Sequence, residues 1–466
     1  MPCRQAARAL CRIGQKLIMA KLWDKGYTIE KIIEDYTVGN DYLLDQELVD
    51  ADIASSIAHA QMLAKIGVLK SDELRKLKAA LLQIAALDKE GRFIIKPGDE
   101  DVHTAVENYL TEKLGELGKK VHTARSRNDQ VLTDLRLYTK DKLLAMEDSL
   151  LALVEALITF AEKNKEAPIP GRTHTQLAMP SSLGLWAGAF AESLLDDLEL
   201  LETAYELNDQ CPLGSAASYG VSLPIDRKMV ADALGFKKVQ NNVLYANNSR
   251  GKIESMVLAV LSQIMMDLSK MSTDLVMFSM PELGYCELPA EICTGSSIMP
   301  NKKNPDVLEL VRAKANLVMA CYYQTVATIK DLPSGYNRDL QETKGPLMDG
   351  LSVTHASINV FAFVVSKLKV NKEKCIVACA PEIFATDKAL ELVTKGVPFR
   401  DAYKAVAMNM SKLAREDPVA NIKSKKHLGA TGNLGLEKSI EKMTSKKKAL
   451  NKKKRDFKTV LEKLMR

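Results

Sequence analysis

The eleven residues Gly295-Ser296-Ser297-Ile298-Met299-Pro300-Asn301-Lys302-Lys303-Asn304-Pro305 have the composition of a chemical loop. Small residues and prolines run into a stretch of helical apolar periodicity, with Pro305 expected at the first helical position. The backbone N–H groups of such a loop and of the helix start form an anion site. Lys302 adds a charge, Asn304 an amide donor, and the apolar pair Ile298-Met299 can dock the loop on closure. Read alone, the same residues also fit a solvated connection.

A second polar segment, Gly171-Arg172-Thr173-His174-Thr175-Gln176-Leu177-Ala178-Met179-Pro180, contains an imidazole, the natural acid or base near neutral pH. By itself a histidine between two threonines is more often structural. In the segment Thr123 to Gln130, Arg127 is a candidate carboxylate clamp, because its planar fork suits that geometry. No two of the six histidines lie three or four residues apart, so no metal site is expected. Neither a phosphate-binding G-x-x-x-x-G-K-[ST] loop nor a dinucleotide fingerprint occurs, and no cofactor is expected.

These segments must be held by something rigid. Apolar periodicity predicts five long helices, over 131–164, 181–208, 249–280, 305–330 and 345–370. All exceed the ~12-residue globular mean, which points to an all-α bundle whose exposed faces are covered by other subunits. Shorter helices are expected over 45–67, stopped by Gly67, and over 71–87, with Ser71 as N-cap. The chemical segments fall in the connections: 166–180 as a loop, 210–224, 282–305 and 332–346. The expected division is an extension 1–18, an N-terminal helical domain 19–122, a central bundle 123–370 and a small C-terminal helical domain 371–466.

The Gly295–Pro305 loop resembles the signature loop of the fumarase/aspartase superfamily. Ser126-Arg127-Asn128-Asp129-Gln130, the His174 segment, Tyr336-Asn337-Arg338-Asp339-Leu340-Gln341-Glu342 and Glu100-Asp101-Val102-His103 are similar to motifs of its argininosuccinate lyase and delta-crystallin branch. They occur in family order over about 250 residues.

The resemblance implies a three-domain helical fold and reversible β-elimination of argininosuccinate to arginine and fumarate through an aci-carboxylate, the last step of arginine biosynthesis. It implies no cofactor, and a homotetramer whose sites combine loops of several subunits. It assigns acid/base roles to His174 and Ser296, with Ser296 favoured as base and the reverse assignment open. Lys302 would stabilise the carbanion, and Glu309 would orient or balance His174. Substrate contacts would come from His103, Arg127, Asn128, Thr173, Asn304, Tyr336, Gln341 and Lys344. His122 would orient its loop, while His59, His355 and His427 match no motif and read as structural. The chain departs from the family near its start: the serine expected to meet substrate falls at Asp41, with Asn40 beside it.

Bulk properties agree with such an enzyme. Aromatic residues make up only 5%, while 46% of the chain is hydrophobic, a balance that favours helices. Residues 421–466 hold 15 Lys and Arg against 4 Asp and Glu, a local +11 in a chain of net +6, leaving −5 elsewhere. That tail reads as a solvated helical surface rather than a nucleic-acid site, since only Phe457 is there to stack on bases. Eight scattered cysteines without a C-x-x-C pair suggest a reduced, cytoplasmic protein. No apolar run reaches the ~18 residues that span a bilayer, so no membrane partner is expected. Arg4, Arg8, Arg12 and Lys16 repeat every four residues. A targeting helix would show this pattern, but an upstream start with the working chain beginning at Met19 is the favoured expectation.

Overall fold

The computed structural model describes residues 30–466; the expectations for residues 1–18 and for a start at Met19 lie outside them. Short helices Lys31–Val38 and Asp41–Asp45 lead into α1 (Val49–Lys65), α2 (Ser71–Lys89) and α3 (Val102–Leu114). The bundle follows: α4 (Arg127–Asn164), a hairpin of β1 (Pro168–Thr173) and β2 (Gln176–Ser182), then α5 (Leu183–Asn208), α6 (Lys252–Ser279), α7 (Asp306–Ile329) and α8 (Lys344–Lys367). Beyond it come α9 (Ala385–Thr394), α10 (Phe399–Ala407) and α11 (Leu436–Met465).

Heptad-like spacing explains the bundle. On α6 the buried residues Val257, Leu261, Ile264, Leu268, Met271, Leu275 and Phe278 step by four and three, which keeps one seam against its neighbours. α6 packs on α5, α7 and α8, while α4 packs on α5 and α8. One continuous core runs from Leu48 to Leu464, so α1–α3 and α11 share it with the bundle. Separate small cores lie at Cys379, Ile383 and Phe384, and at Ala389, Ala402 and Val406 between α9 and α10.

Antiparallel packing gives the bundle two distinct ends. Trp186 on the first turn of α5 donates to Asp274 near the end of α6 (2.9 Å) and packs its ring against Phe160 and Phe278. Residues 286–287 pair with 369–370, just past α8. The 165–182 and 280–305 connections therefore share one end. At the other, Asn248 ahead of α6 accepts from the Gly335 N–H (2.8 Å), and Arg136 on α4 reaches Ser249 (2.9 Å).

Four expectations need correction. Residues 166–180 are not a loop: 168–182 form a hairpin around His174-Thr175, both with positive φ (52° and 61°). The turn lacks the Asn-Gly that usually announces such a geometry. Ser71 is the first residue of α2 rather than its cap; the Lys70 N–H bonds to Glu73 Oε2 (2.8 Å) and starts the helix one residue earlier. Pro305 is the cap of α7 rather than its first residue, because a Thr294–Asn304 backbone bridge keeps the chain extended up to that point. Finally, Arg338–Lys367 is by length and composition apolar enough to cross a bilayer, although α8 within it packs on α4, α6 and α7.

The basic tail is largely paired within the chain. α11 lies across α4 and α5, where Lys442 meets Asp196 and Glu199, Lys446 meets Glu202, Lys447 meets Glu155, Lys453 meets Glu147, and Lys454 meets Asp148. Tail and body charges are complementary surfaces of one fold.

Candidate active site

The start of α4 shows how local sequence builds the site. Ser126 caps the helix by accepting from the Asn128 N–H (3.2 Å), and Asp129 closes the capping box on the Ser126 N–H (2.9 Å). Asp129 is fully buried and also accepts from the N–H groups of Gly214 (2.9 Å) and Ala216 (2.7 Å). This motif therefore has two jobs: Asp129 ties α4 to the 210–224 connection, and Asn128 is left at a cleft.

That cleft, about 100 Å³ in volume, gathers residues distant in sequence. His103, Arg127, Asn128, Tyr336, Gln341 and Lys344 all line it. Lys344 is buried between Asp41 (2.8 Å) and Asp45, whose carboxylates hold its ammonium charged against the cost of burial. Asp45 also accepts from the Val102 N–H (3.0 Å), locking α3 to the site. Arg127 is engaged by Asp101 (2.8 Å) and by Glu100 (3.0 Å), a residue held at φ 66°. Gln341 and Arg338 both donate to the Thr37 carbonyl (3.2 and 2.7 Å). The Arg250 guanidinium lies 5.8 Å from the centre of the Tyr336 ring.

Behind the cleft is a buried polar cluster. His103 Nδ1 lies 2.6 Å from Asp52 on α1 and 3.7 Å from Asp134 on α4. Ser55 donates to Asp134 (2.8 Å), and Arg125 donates to Ser56 (3.0 Å). Burial opposes a charge on His103, but the Asp52 bond and the surrounding carboxylates outweigh it and push the imidazole up to about 9. Asp52, His103 and Asp134 are also a grouping of metal-ligand type. The 2.6 Å Asp52–His103 contact is a hydrogen-bond distance, and the neighbouring Arg125 charge disfavours a cation there. The other histidines differ. His59 contacts the Thr123 carbonyl (2.8 Å), with burial pulling it down to about 3. His122 is 3.6 Å from Glu107, and burial pulls it to about 4. His355 contacts Ser149 (2.9 Å).

The remaining candidates sit elsewhere. Thr173 and His174 occupy the exposed tip of the hairpin. In the 295–304 loop, Ser296 Oγ accepts from the N–H groups of Ile298 (3.3 Å) and Met299 (3.1 Å). Asn304 donates inward, to the Gly295 carbonyl (3.2 Å), and so closes the loop. Lys302 and Glu309 are exposed, and no ion pair joins Glu309 to His174 within the described residues. α4 separates the two groups: its 38 residues put Asn128 roughly 55 Å from the hairpin, at 1.5 Å per residue. One chain thus carries a polar cleft at one end, and the His174 hairpin and the Ser296 loop at the other.

Sequence reading did not single out Asp45, Asp52, Asp134 or Arg250, and took Asp101 only as part of a motif. The available signals were the i, i+4 spacing of Asp41 and Asp45, and acidic residues inside the apolar stripes of α1 and α4.

The helical bundle and its serine loop define a lyase of the fumarase/aspartase superfamily, and a family model described as lyase matches residues 30–320. An argininosuccinate lyase of Thermotoga neapolitana is 48% identical over 83% of this chain and 97% of its own, and one of Sorangium cellulosum is 44% identical over 90% and 97%. The crystal structure of an EDDS lyase in complex with formate superposes with a TM-score of 0.79 at 22% identity, covering 94% of this chain and 95% of that one. The chain belongs to the argininosuccinate lyase family.

Proposed function

We propose that the protein splits argininosuccinate into arginine and fumarate. The observation that carries this reading is identity above 40% over most of the chain to argininosuccinate lyases. In the proposed reaction, Ser296 as alkoxide takes a proton from the succinyl carbon beside a carboxylate. The electron pair moves into that carboxylate, giving an aci-carboxylate that prearranged donors and the Lys302 ammonium stabilise. The pair then returns to form the fumarate double bond, and the C–N bond breaks. The departing guanidino nitrogen takes a proton from His174, directly or through water.

Ser296 as base is supported by the two N–H groups donating to its oxygen, which would stabilise the alkoxide. Sharing of each site between subunits is supported by the separation along α4. It is also supported by exposed apolar side chains on bundle helices: Leu310, Leu317 and Tyr323 on α7, and Val360 and Phe363 on α8. We take the assembly to be a homotetramer acting in the cytoplasm at the end of arginine biosynthesis. Fumarate absorbance, followed with argininosuccinate, adenylosuccinate and aspartate offered separately, tests the substrate. Release from argininosuccinate alone is expected, and no release from it would overturn the reading.

A further inference from the structure

We propose that Asp52 is a positioning residue: it holds the His103 ring through Nδ1, so that Nε2–H is turned to the cleft and donates to a carboxylate of the substrate. This rests on the reading of the cleft as part of the substrate site. His103 lines the cleft, Nδ1 is 2.6 Å from Asp52, and Nε2 is buried without a partner. A buried donor without an acceptor is costly, and the cleft is the space beside it that a ligand can fill.

The groups around the ring are Asp52 from α1, Asp134 from α4, Asp45 from the 41–45 helix, Asp101 at the cap of α3, and Arg125 and His122 from the turn before α4. Two of them separate clearly. Asp52 is held ionised by His103 and Arg125 against its burial. Asp134 is fully buried, and that burial together with the neighbouring Asp52 charge pushes its carboxyl well up. Arg127 does not substitute for His103, because its guanidinium is engaged by Glu100 and Asp101.

The test uses the full-length enzyme with isotope-labelled histidine, and a His103→Gln variant assigns the signal. At pH 7 His103 is expected to carry both ring protons, and saturating fumarate is expected to shift its Nε2 signal. Asp52→Asn should raise KM for argininosuccinate about 10- to 100-fold, the range of a hydrogen bond to a charged group, while kcat changes less than about threefold. It should also move the alkaline fall of kcat/KM to lower pH. Asp134→Asn keeps the shape of the side chain and leaves the Asp52 contact to Nδ1 in place, so His103 should remain charged at pH 7. A neutral His103 in the wild type at pH 7, or an Asp52→Asn enzyme with unchanged KM and pH profile, would overturn the proposal. If Asp52→Asn does not fold, the wild-type titration and the fumarate shift decide, and absence of that shift overturns the proposal as well. A wild type that releases no fumarate from argininosuccinate refutes the functional reading instead, and the His103 titration still reads the Asp52 contact.

Discussion

Ser296, the proposed base, is an unpromising one in water, and its surroundings support the assignment. Two N–H donors on Oγ in the resting loop stabilise an anion more than a neutral hydroxyl. Ser296→Ala should therefore cut kcat by about 100- to 10,000-fold, the usual worth of a positioned acid or base. His174→Asn should fall in the same range. Both side chains lie on connections outside the core, so thermal midpoints within a few degrees of wild type are expected, and calorimetry beside the assay separates catalysis from folding. Buried histidines set a different limit. His59 is held neutral, down to about 3, so between there and its unfolded value of 6.5 the unfolded chain binds the extra proton. Its contribution is lost as pH falls below 6.5, at up to about 1.4 kcal/mol per pH unit. His103, raised to about 9, works the opposite way: its contribution is complete below 6.5 and is lost as pH rises through 9. Urea midpoints from pH 5 to 9 should peak near pH 6.5, and His59→Gln should flatten the acid side alone. An unchanged acid limb in that variant would assign the loss to other groups.

Elements place these residues through close approaches that apolar patterning does not reveal. Gly184 and Gly188 both interrupt the pattern of α5 but are not equivalent. A Cβ on Gly184 would lie 2.5 Å from the Lys165 backbone, whereas on Gly188 it would meet only the Leu436 methyl at 3.2 Å. Gly184 is where α5 leaves the hairpin against the end of α4. Gly184→Ala should destabilise by about 1–3 kcal/mol, as overpacking against backbone does, and Gly188→Ala by clearly less. Denaturant titration of the two variants compares them directly, and equal losses would contradict the contact. This contrast marks what could be read in advance. All five long helices were legible to within four residues at each end, because burial along a bundle repeats with the helix period. The hairpin was not, because its turn residues His174 and Thr175 lack the usual chemistry and its strands hold three prolines. The cleft was half legible. Asn128, Tyr336, Gln341 and Lys344 stand in recognisable motifs, whereas Asp45, Asp52 and Asp134 are single acids whose meaning depends on which helices meet.

The whole molecule must reconcile a polar cleft with a serine loop and a histidine hairpin that its longest described helix keeps apart. Charge handles the interior of one subunit: the +11 tail docks on acidic residues of α4 and α5 through pairs that are mostly exposed, each worth about 0–1 kcal/mol and weakened by salt. In the proposed homotetramer, assembly completes the site, and this has a consequence that stability measurements do not touch. Suppose each site takes Asn128 from one subunit and Ser296 from another. An Asn128→Ala protein and a Ser296→Ala protein are then each inactive, since every site lacks one group. Coexpressed in equal amounts and assembled at random, they place wild-type residues at both positions in about one quarter of sites, because the two groups are drawn independently. If both groups came from the same subunit, every site in the mixture would lack one or the other, and no mixing ratio would restore activity. Recovery of about a quarter of wild-type turnover in the coexpressed protein is the expected result, and a mixture as inactive as its parents would rule out shared sites.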